Sequence, residues 1–276
     1  MATELRVDEF LGPAAGESND WLMWQLADSA FPTGGFAHSN GLEAAWQNGE
    51  LQNPDALEQW LETSLCQVGH GSLCLMTATH DEPQRFPEFD QLCECFTLNH
   101  VANRASRLQG KALLATARRI FCVPGVEAGR LGLETRLQVE RCGTQAGSSS
   151  RQTASGATYP AVCSVAASLD LSKAKAKYGH LAPTFGAVTR GLGLSRVSAS
   201  RLFMFLQLRG SIAAAVRLGI VGPLEAQAFQ YRLGGKAELL LTRLAVLQLD
   251  ELAQTAPLLE IWQGTQDRLY SRLFQS

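Results

Sequence analysis

Charge is scarce in this chain: Asp, Glu, Lys and Arg make up 18% of its residues, and 24 basic against 26 acidic groups leave a net charge of −2. No basic run and no aromatic RNA-binding motif appears, so a dedicated nucleic-acid binder is excluded and no nucleic-acid partner is expected. Long apolar runs are missing too. The most apolar stretch, residues 197–219, carries Arg201, Arg209 and Arg217, too many charges for a bilayer centre. No membrane partner is expected. Residues 1–20 are polar and lack the apolar core of a signal peptide. Seven cysteines show no framework spacing, which reads as free thiols in a reducing compartment, with the cytoplasm as default. There is no G-x-x-x-x-G-K-[ST] phosphate loop, dinucleotide fingerprint, H-E-x-x-H or paired-carboxylate dyad. Alternating strand patterns and 20–50-residue repeats are absent as well.

What remains is a globular chain of 276 residues, 46% apolar, enough for one large core or two modest ones. Its periodicity is helical throughout, and the predicted fold is all-α, a single-domain bundle of about eight to ten helices over residues 20–276 behind a flexible tail at 1–19. The most specialised stretch is residues 21–50. Leu22, Met23, Trp24 and Leu26 read as one or two helical turns facing a core. Pro32 then ends any helix, and Gly34 and Gly35 allow positive φ or close approach. Phe36, His38 and Ser39 occupy the turn, and helical spacing resumes at Leu42, Ala45 and Trp46 until Asn48 and Gly49 stop it. The stretch is an elbow between two helices.

Beyond it, Asn53 and Pro54 open a helix expected to run to about Thr79. A second long helix is expected from Glu88 to about Ile120. Residues 121–157 are Gly- and Ser-rich with weak periodicity, and are expected to be a mobile loop. Helix is expected to resume from Tyr159, with a polar face at 172–177. Residues 178–193 read as a helix that begins near His180 and ends at Gly193. Ser195 or Ser198 caps an all-round apolar, hence central, helix reaching Leu218. Pro223 opens another, and Pro257 starts the last, with Leu258, Trp262, Leu269 and Leu273 on one face.

Few residues carry visible chemistry. His38 and Ser39 could be a base and nucleophile, but neighbours on a turn rarely face each other. They equally suit a helix cap or a recognition surface. Cys66, His70 and Cys74 stand at i, i+4, i+8, a tempting metal line, yet eight residues rise about 12 Å, so one ion could take two at most. Cys93 and Cys95 fall on different faces and lack a second pair; all read better as small apolar groups. Arg209 in an apolar helix requires a partner or an interface role. Gly110 and Gly210 lie inside helices, where Gly costs about 1 kcal/mol relative to Ala, so close packing or function is expected to offset them. Tyr270, Arg272 and Phe274 are interface-rich types, though a docked last helix would account for them too.

Five blocks in order resemble the UreF family of urease accessory proteins: LADSAFPTGGFAHSNGLEAA in the elbow, ASRLQGKALL, HLAPTFGAVTRGLGL, FLQLRGSIAAAVRLGIVGPLEAQ and LYSRLFQS. The match is poor in the first 18 residues and in 121–157. The resemblance implies an all-helical, non-enzymatic scaffold that forms a homodimer. It further implies a complex with a UreD-type (UreH) protein that recruits the nickel-carrying GTPase UreG to apo-urease. Nickel in transit and GTP would belong to that assembly, with no cofactor bound by this chain. Pro32, Gly34, Gly35, Phe36, His38, Ser39, Gly41, Leu42 and Glu43 would shape the signature turn. Tyr270, Arg272, Leu273 and Phe274 would belong to a tail that orders against the UreD-type partner. The remaining readings are an enzyme built on His38 and a carrier of metal on Cys and His.

Overall fold

A computed structural model describes residues 20–121, 177–245 and 247–276. The expected N-terminal tail, the expected loop beyond Phe121, and the helix from Tyr159 and polar face of 172–176 lie outside the described residues. Within them the fold is all-α, with no strand. The helices are α1 (Asp20–Ala27), α2 (Leu42–Gln47), α3 (Pro54–His70), α4 (Ser72–Asp81), α5 (Phe86–Phe96), α6 (His100–Ile120), α7 (Leu181–Gly191), α8 (Arg196–Arg217), α9 (Pro223–Leu244) and α10 (Pro257–Thr265). Short 3-10 turns cover Gly35–Ala37, Pro83–Arg85, Leu249–Glu251 and Gln266–Arg268.

Local chemistry sets most boundaries. Asn53 accepts from the Ala56 N–H at 2.8 Å with Pro54 behind it, starting α3. Ser195 accepts from the Ser198 N–H at 3.1 Å and starts α8. Gly193 and Gly219 take φ of +78° and +72° after α7 and α8. Two expected long helices are each broken. Gly71 (φ −114°, ψ −89°) separates α3 from α4, where a Cβ would lie 3.1 Å from the Phe96 ring and 3.2 Å from the Gln67 carbonyl oxygen. Asn99 separates α5 from α6 by capping the latter, accepting from Val101 and Ala102 N–H at 3.0 and 3.3 Å. The stripe continues across both breaks, so periodicity alone could not reveal them.

α8 is the central element expected from its composition. Leu202, Phe203, Met204, Leu208, Ile212 and Ala215 are buried on it, against α3, α4, α7 and α9. Fully burying one such large side chain contributes about 1.5–3 kcal/mol. α4 and α7 meet most closely. A Cβ on Gly186 would stand 2.2 Å from the Met76 carbonyl oxygen, so only Gly permits this approach. The last helix is shorter than expected: α10 stops at Thr265, and Leu269 and Leu273 leave it in a non-helical segment, 269–276. That segment folds back over the elbow.

Candidate functional site

The elbow begins where α1 ends. Leu26 is buried, but Trp24 is 59% exposed and stacks edge-on with the exposed Trp21 at 5.1 Å; it does not face the core as expected. Pro32 is tied down through its carbonyl, which accepts from Thr116 Oγ1 at 3.2 Å. Gly34 takes φ +74°. A 3-10 turn follows, closed by the Ala37 and His38 N–H groups on the Gly34 and Gly35 carbonyls at 3.1 and 3.2 Å. Gly35 passes near α6, where an added Cβ would stand 3.4 Å from Gln109 Oε1. Asn40 and Gly41 then adopt φ +53° and +86° in succession, which turns the chain into α2. A Cβ on Gly41 would lie 2.8 Å from the main-chain nitrogen of Gln263 in α10. Gly41 is therefore required twice, by its φ and by its neighbour.

Segment 269–276 meets this elbow main chain to main chain. Gln275 N–H donates to the Ala37 carbonyl at 2.8 Å, and Ser39 N–H to the Ser276 main-chain oxygen at 2.5 Å. Ser39 Oγ donates to the same oxygen at 3.0 Å, and His38 Nδ1 pairs with Ser276 Oγ at 2.6 Å. Glu43, 1% exposed, is the centre of the junction. Its carboxylate accepts from the N–H of Leu273 at 2.6 Å, the N–H of Phe274 at 3.1 Å and the Gln266 side-chain amide at 2.6 Å. A buried carboxylate without a cation is tolerable only when several N–H groups converge on it.

The junction hides some groups and presents others. Phe274 is buried and covered by the Arg217 guanidinium at 4.3 Å. Arg217 also donates to the Phe36 carbonyl, yet the Phe36 ring is 72% exposed. The Tyr270 side chain is fully exposed and Leu273 half so. Arg272 pairs with Asp267 at 2.9 Å, and the same carboxylate takes two bonds from Arg104 at 2.9 and 3.0 Å. The elbow and 269–276 thus form one hydrogen-bonded support carrying outward aromatic groups.

Of the other residues singled out in the sequence, Leu42 is fully buried. Arg209 donates to the Ala27 carbonyl and lies 5.7 Å from the Phe205 ring centre, capping α1. Gly110 is a packing glycine, since a Cβ there would meet the Gly179 carbonyl oxygen at 2.2 Å. Gly210 is not: among the described residues, its own helix turn aside, nothing lies within 4 Å of its would-be Cβ.

Catalytic chemistry finds little support in this arrangement. His38 pairs with Ser276 and not with Ser39, and burial, then the Arg104 charge, holds its pKa below the usual histidine value. A cavity of about 150 Å³ lies under the elbow and includes His38, Gln109, Gln207 and Arg209 in its wall. Ser276 is not in that wall, so the hydroxyl a base would activate does not face the cavity. The Cys74 thiol and the His70 ring are engaged within the fold as well. Cys74 Sγ donates to the Gly69 carbonyl at 3.4 Å, and His70 Nδ1 bonds the Cys66 carbonyl at 2.9 Å. Burial pushes the thiols of Cys74 and Cys93 up to about 11 and 12. Among the described residues no three His, Cys, Asp or Glu groups converge as metal ligands would, and no helix is long and apolar enough to cross a membrane.

One organising residue escaped the sequence reading. Asp90, buried on α5, accepts from the N–H groups of Tyr178, Gly179 and His180 at 2.9–3.0 Å. It holds the chain leading into α7 against Gly110. Its only sequence signal was an acidic group at a core position of α5, alongside Phe86, Phe89 and Cys93.

Comparison with known proteins supplies the context. The UreF family model matches residues 51–234, a span outside both the elbow and 269–276. Full-length relatives cover those regions. Urease accessory protein F of Oryza sativa subsp. indica is 31% identical over 99% of this chain and 92% of its own length. The protein of the same description from Arabidopsis thaliana is 32% identical over 95% of each. An uncharacterized UreF-like urease accessory protein of Schizosaccharomyces pombe is 28% identical over 91% of this chain and 94% of its own.

Proposed function

Since the chain belongs to the UreF family of urease accessory proteins, we propose that it is a non-enzymatic scaffold in urease maturation. Together with a UreD-type protein it recruits the nickel-carrying GTPase UreG to apo-urease. Nickel is cargo and GTP a ligand of the GTPase; neither is a cofactor of this chain. It works as a homodimer in the cytoplasm, and within the assembly it regulates GTP hydrolysis.

The observation that carries this reading is the junction at Glu43. A buried carboxylate, two consecutive positive-φ residues and a main-chain ladder to Ser276 fix Phe36 and Tyr270 on one support with their rings outward. Rigid exposed aromatic groups are the type that anchors protein interfaces, because they bury large area at little entropic cost. His38, whose partner Ser276 is outside the wall of the neighbouring cavity, supports an enzyme poorly.

The test is light scattering on size-exclusion fractions of the chain, alone and mixed with its cognate UreD-type and UreG-type proteins. A dimer alone and a co-eluting three-component complex are expected, and removal of residues 269–276 should abolish the complex while leaving the chain helical. A monomer that recruits neither protein would overturn the proposal.

A further inference from the structure

Away from the elbow, a groove of about 620 Å³ runs beside α6. His100, Arg104, Arg107 and Lys111 line it, at spacings of 4, 3 and 4 that stack them on one helix face over about 16 Å. Two large apolar side chains belong to the same wall: Leu98 is 82% exposed and Leu108 51%. In a chain of net charge −2, Arg104, Arg107 and Lys111 make this a positive strip with apolar groups in it, which His100 extends as a hydrogen-bonding group.

Its charges are unevenly answered from within. Arg104 is paired with Asp267 at 2.9 Å, which His100 also approaches at 3.4 Å. Glu94, the acidic group in the wall, accepts from Asn103 at 2.9 Å and bonds His180 at 2.8 Å. Arg107 reaches it only at 4.0 Å. Lys111 has no ion-pair partner among the described residues. Like charges three and four apart on a helix repel by about 0.2–0.5 kcal/mol per pair, a cost that an incoming row of carboxylates would reverse.

We infer that this groove docks an acidic amphipathic helix of a partner protein. Carboxylates at spacings of 4, 3 and 4 would answer the α6 strip, and apolar side chains between them would cover Leu98 and Leu108. Charge complementarity sets the sign of the partner. The leucines set its class: among the described residues no Phe, Tyr or Trp lines the groove to stack a base, whereas a helix face offers the apolar match. The inference does not depend on the role in urease maturation, because its test uses this chain alone.

The probe is a blocked, fluorescent 15-residue helical peptide with four Glu at those spacings and two Leu between, titrated against the full chain by anisotropy. The expected result is saturable binding that weakens with added salt and is lost when the four Glu become Gln. Arg107→Glu with Lys111→Glu should weaken it about tenfold or more, a loss of about 1.4 kcal/mol, and a peptide carrying Lys for Glu should restore it. Lys111 is exposed and Arg107 partly so, and Leu108→Asp supplies a second lesion in the same wall that should weaken the Glu peptide. Equal affinity for the Glu and Gln peptides would overturn the inference. So would tighter binding of a 15-nucleotide oligouridylate than of the Glu peptide, which would assign the strip to phosphates.

Discussion

Glu43 and Leu273, 230 positions apart in the sequence, are joined by a 2.6 Å hydrogen bond from the Leu273 N–H to the buried Glu43 carboxylate. Phe274 and Gln266 donate to the same group. A hydrogen bond to a charged group contributes about 1.5–3 kcal/mol, so this cluster is a major hold on the segment. Glu43→Gln should reduce stability by about 2 kcal/mol or more. It should also raise amide exchange at Leu273 and Phe274, because an amide turns one acceptor into a donor. Glu50→Gln, on the exposed turn after α2, should stay within about 0.5 kcal/mol of the parent. Unchanged exchange at both amides in Glu43→Gln would remove Glu43 from its assigned place.

Three glycines should respond in opposite directions. Gly41→Ala forces a side chain to φ +86° and into the Gln263 main chain; Gly110→Ala drives one into the Gly179 carbonyl. Each should cost about 1–3 kcal/mol or more. Gly210→Ala meets open space, so helix propensity alone should raise stability by about 1 kcal/mol. Denaturant melts of the three variants decide this. If Gly210→Ala stabilises the isolated chain yet weakens assembly, the open space at Gly210 is filled by another protein.

Acid should weaken the fold through its buried histidines. Burial is the leading cause holding His38, His80 and His180 below the ordinary value of 6.5. The unfolded chain therefore binds protons near pH 6.5 that the folded chain refuses, so stability rises with pH through this region and is lost as pH falls below about 6.5. Unfolding free energy measured from pH 8 to 5 should decline, and His38→Gln should make the decline shallower. A flat profile across that range would contradict the burial argument.

Thiol labelling should be site-selective. Cys95 is exposed, whereas Cys74 and Cys93 are buried and held protonated up to about 11 and 12. Iodoacetamide at pH 8, mapped by mass spectrometry, should modify Cys95 long before those two, since the thiolate is the nucleophile. Fast alkylation of Cys74 would reopen the reading of Cys66 and His70 on α3 with Cys74 on α4 as a metal-binding line.

The sequence made the fold class, the elbow and most helix ends legible, because Pro54, Ser195, Gly193, Gly219 and Pro223 act locally. It did not reveal the breaks at Gly71 and Asn99, where tertiary contacts override a stripe that continues on either side. Leu269 and Leu273 kept helical spacing with Leu258 and Trp262, but the N–H groups of Leu273 and Phe274 bond the Glu43 carboxylate in place of a helical carbonyl. Long-range pairings were the least readable. Nothing in local pattern tells that Asp90 holds residues 178–180, that His38 meets Ser276, or that the acidic group of the elbow is buried under a segment from the far end of the chain.

We propose that the supported elbow, and not a reaction on His38 or a metal held on thiols, is what this chain contributes to urease maturation. The most direct measurement is nickel content and activity of apo-urease incubated with nickel, GTP and the cognate accessory proteins. The parent chain would be compared with Phe36→Ala combined with Tyr270→Ala, and with His38→Gln. The aromatic double variant, though folded, should leave urease largely without nickel, while His38→Gln should support maturation at neutral pH. Full maturation with the double variant, or without the chain at all, would contradict it.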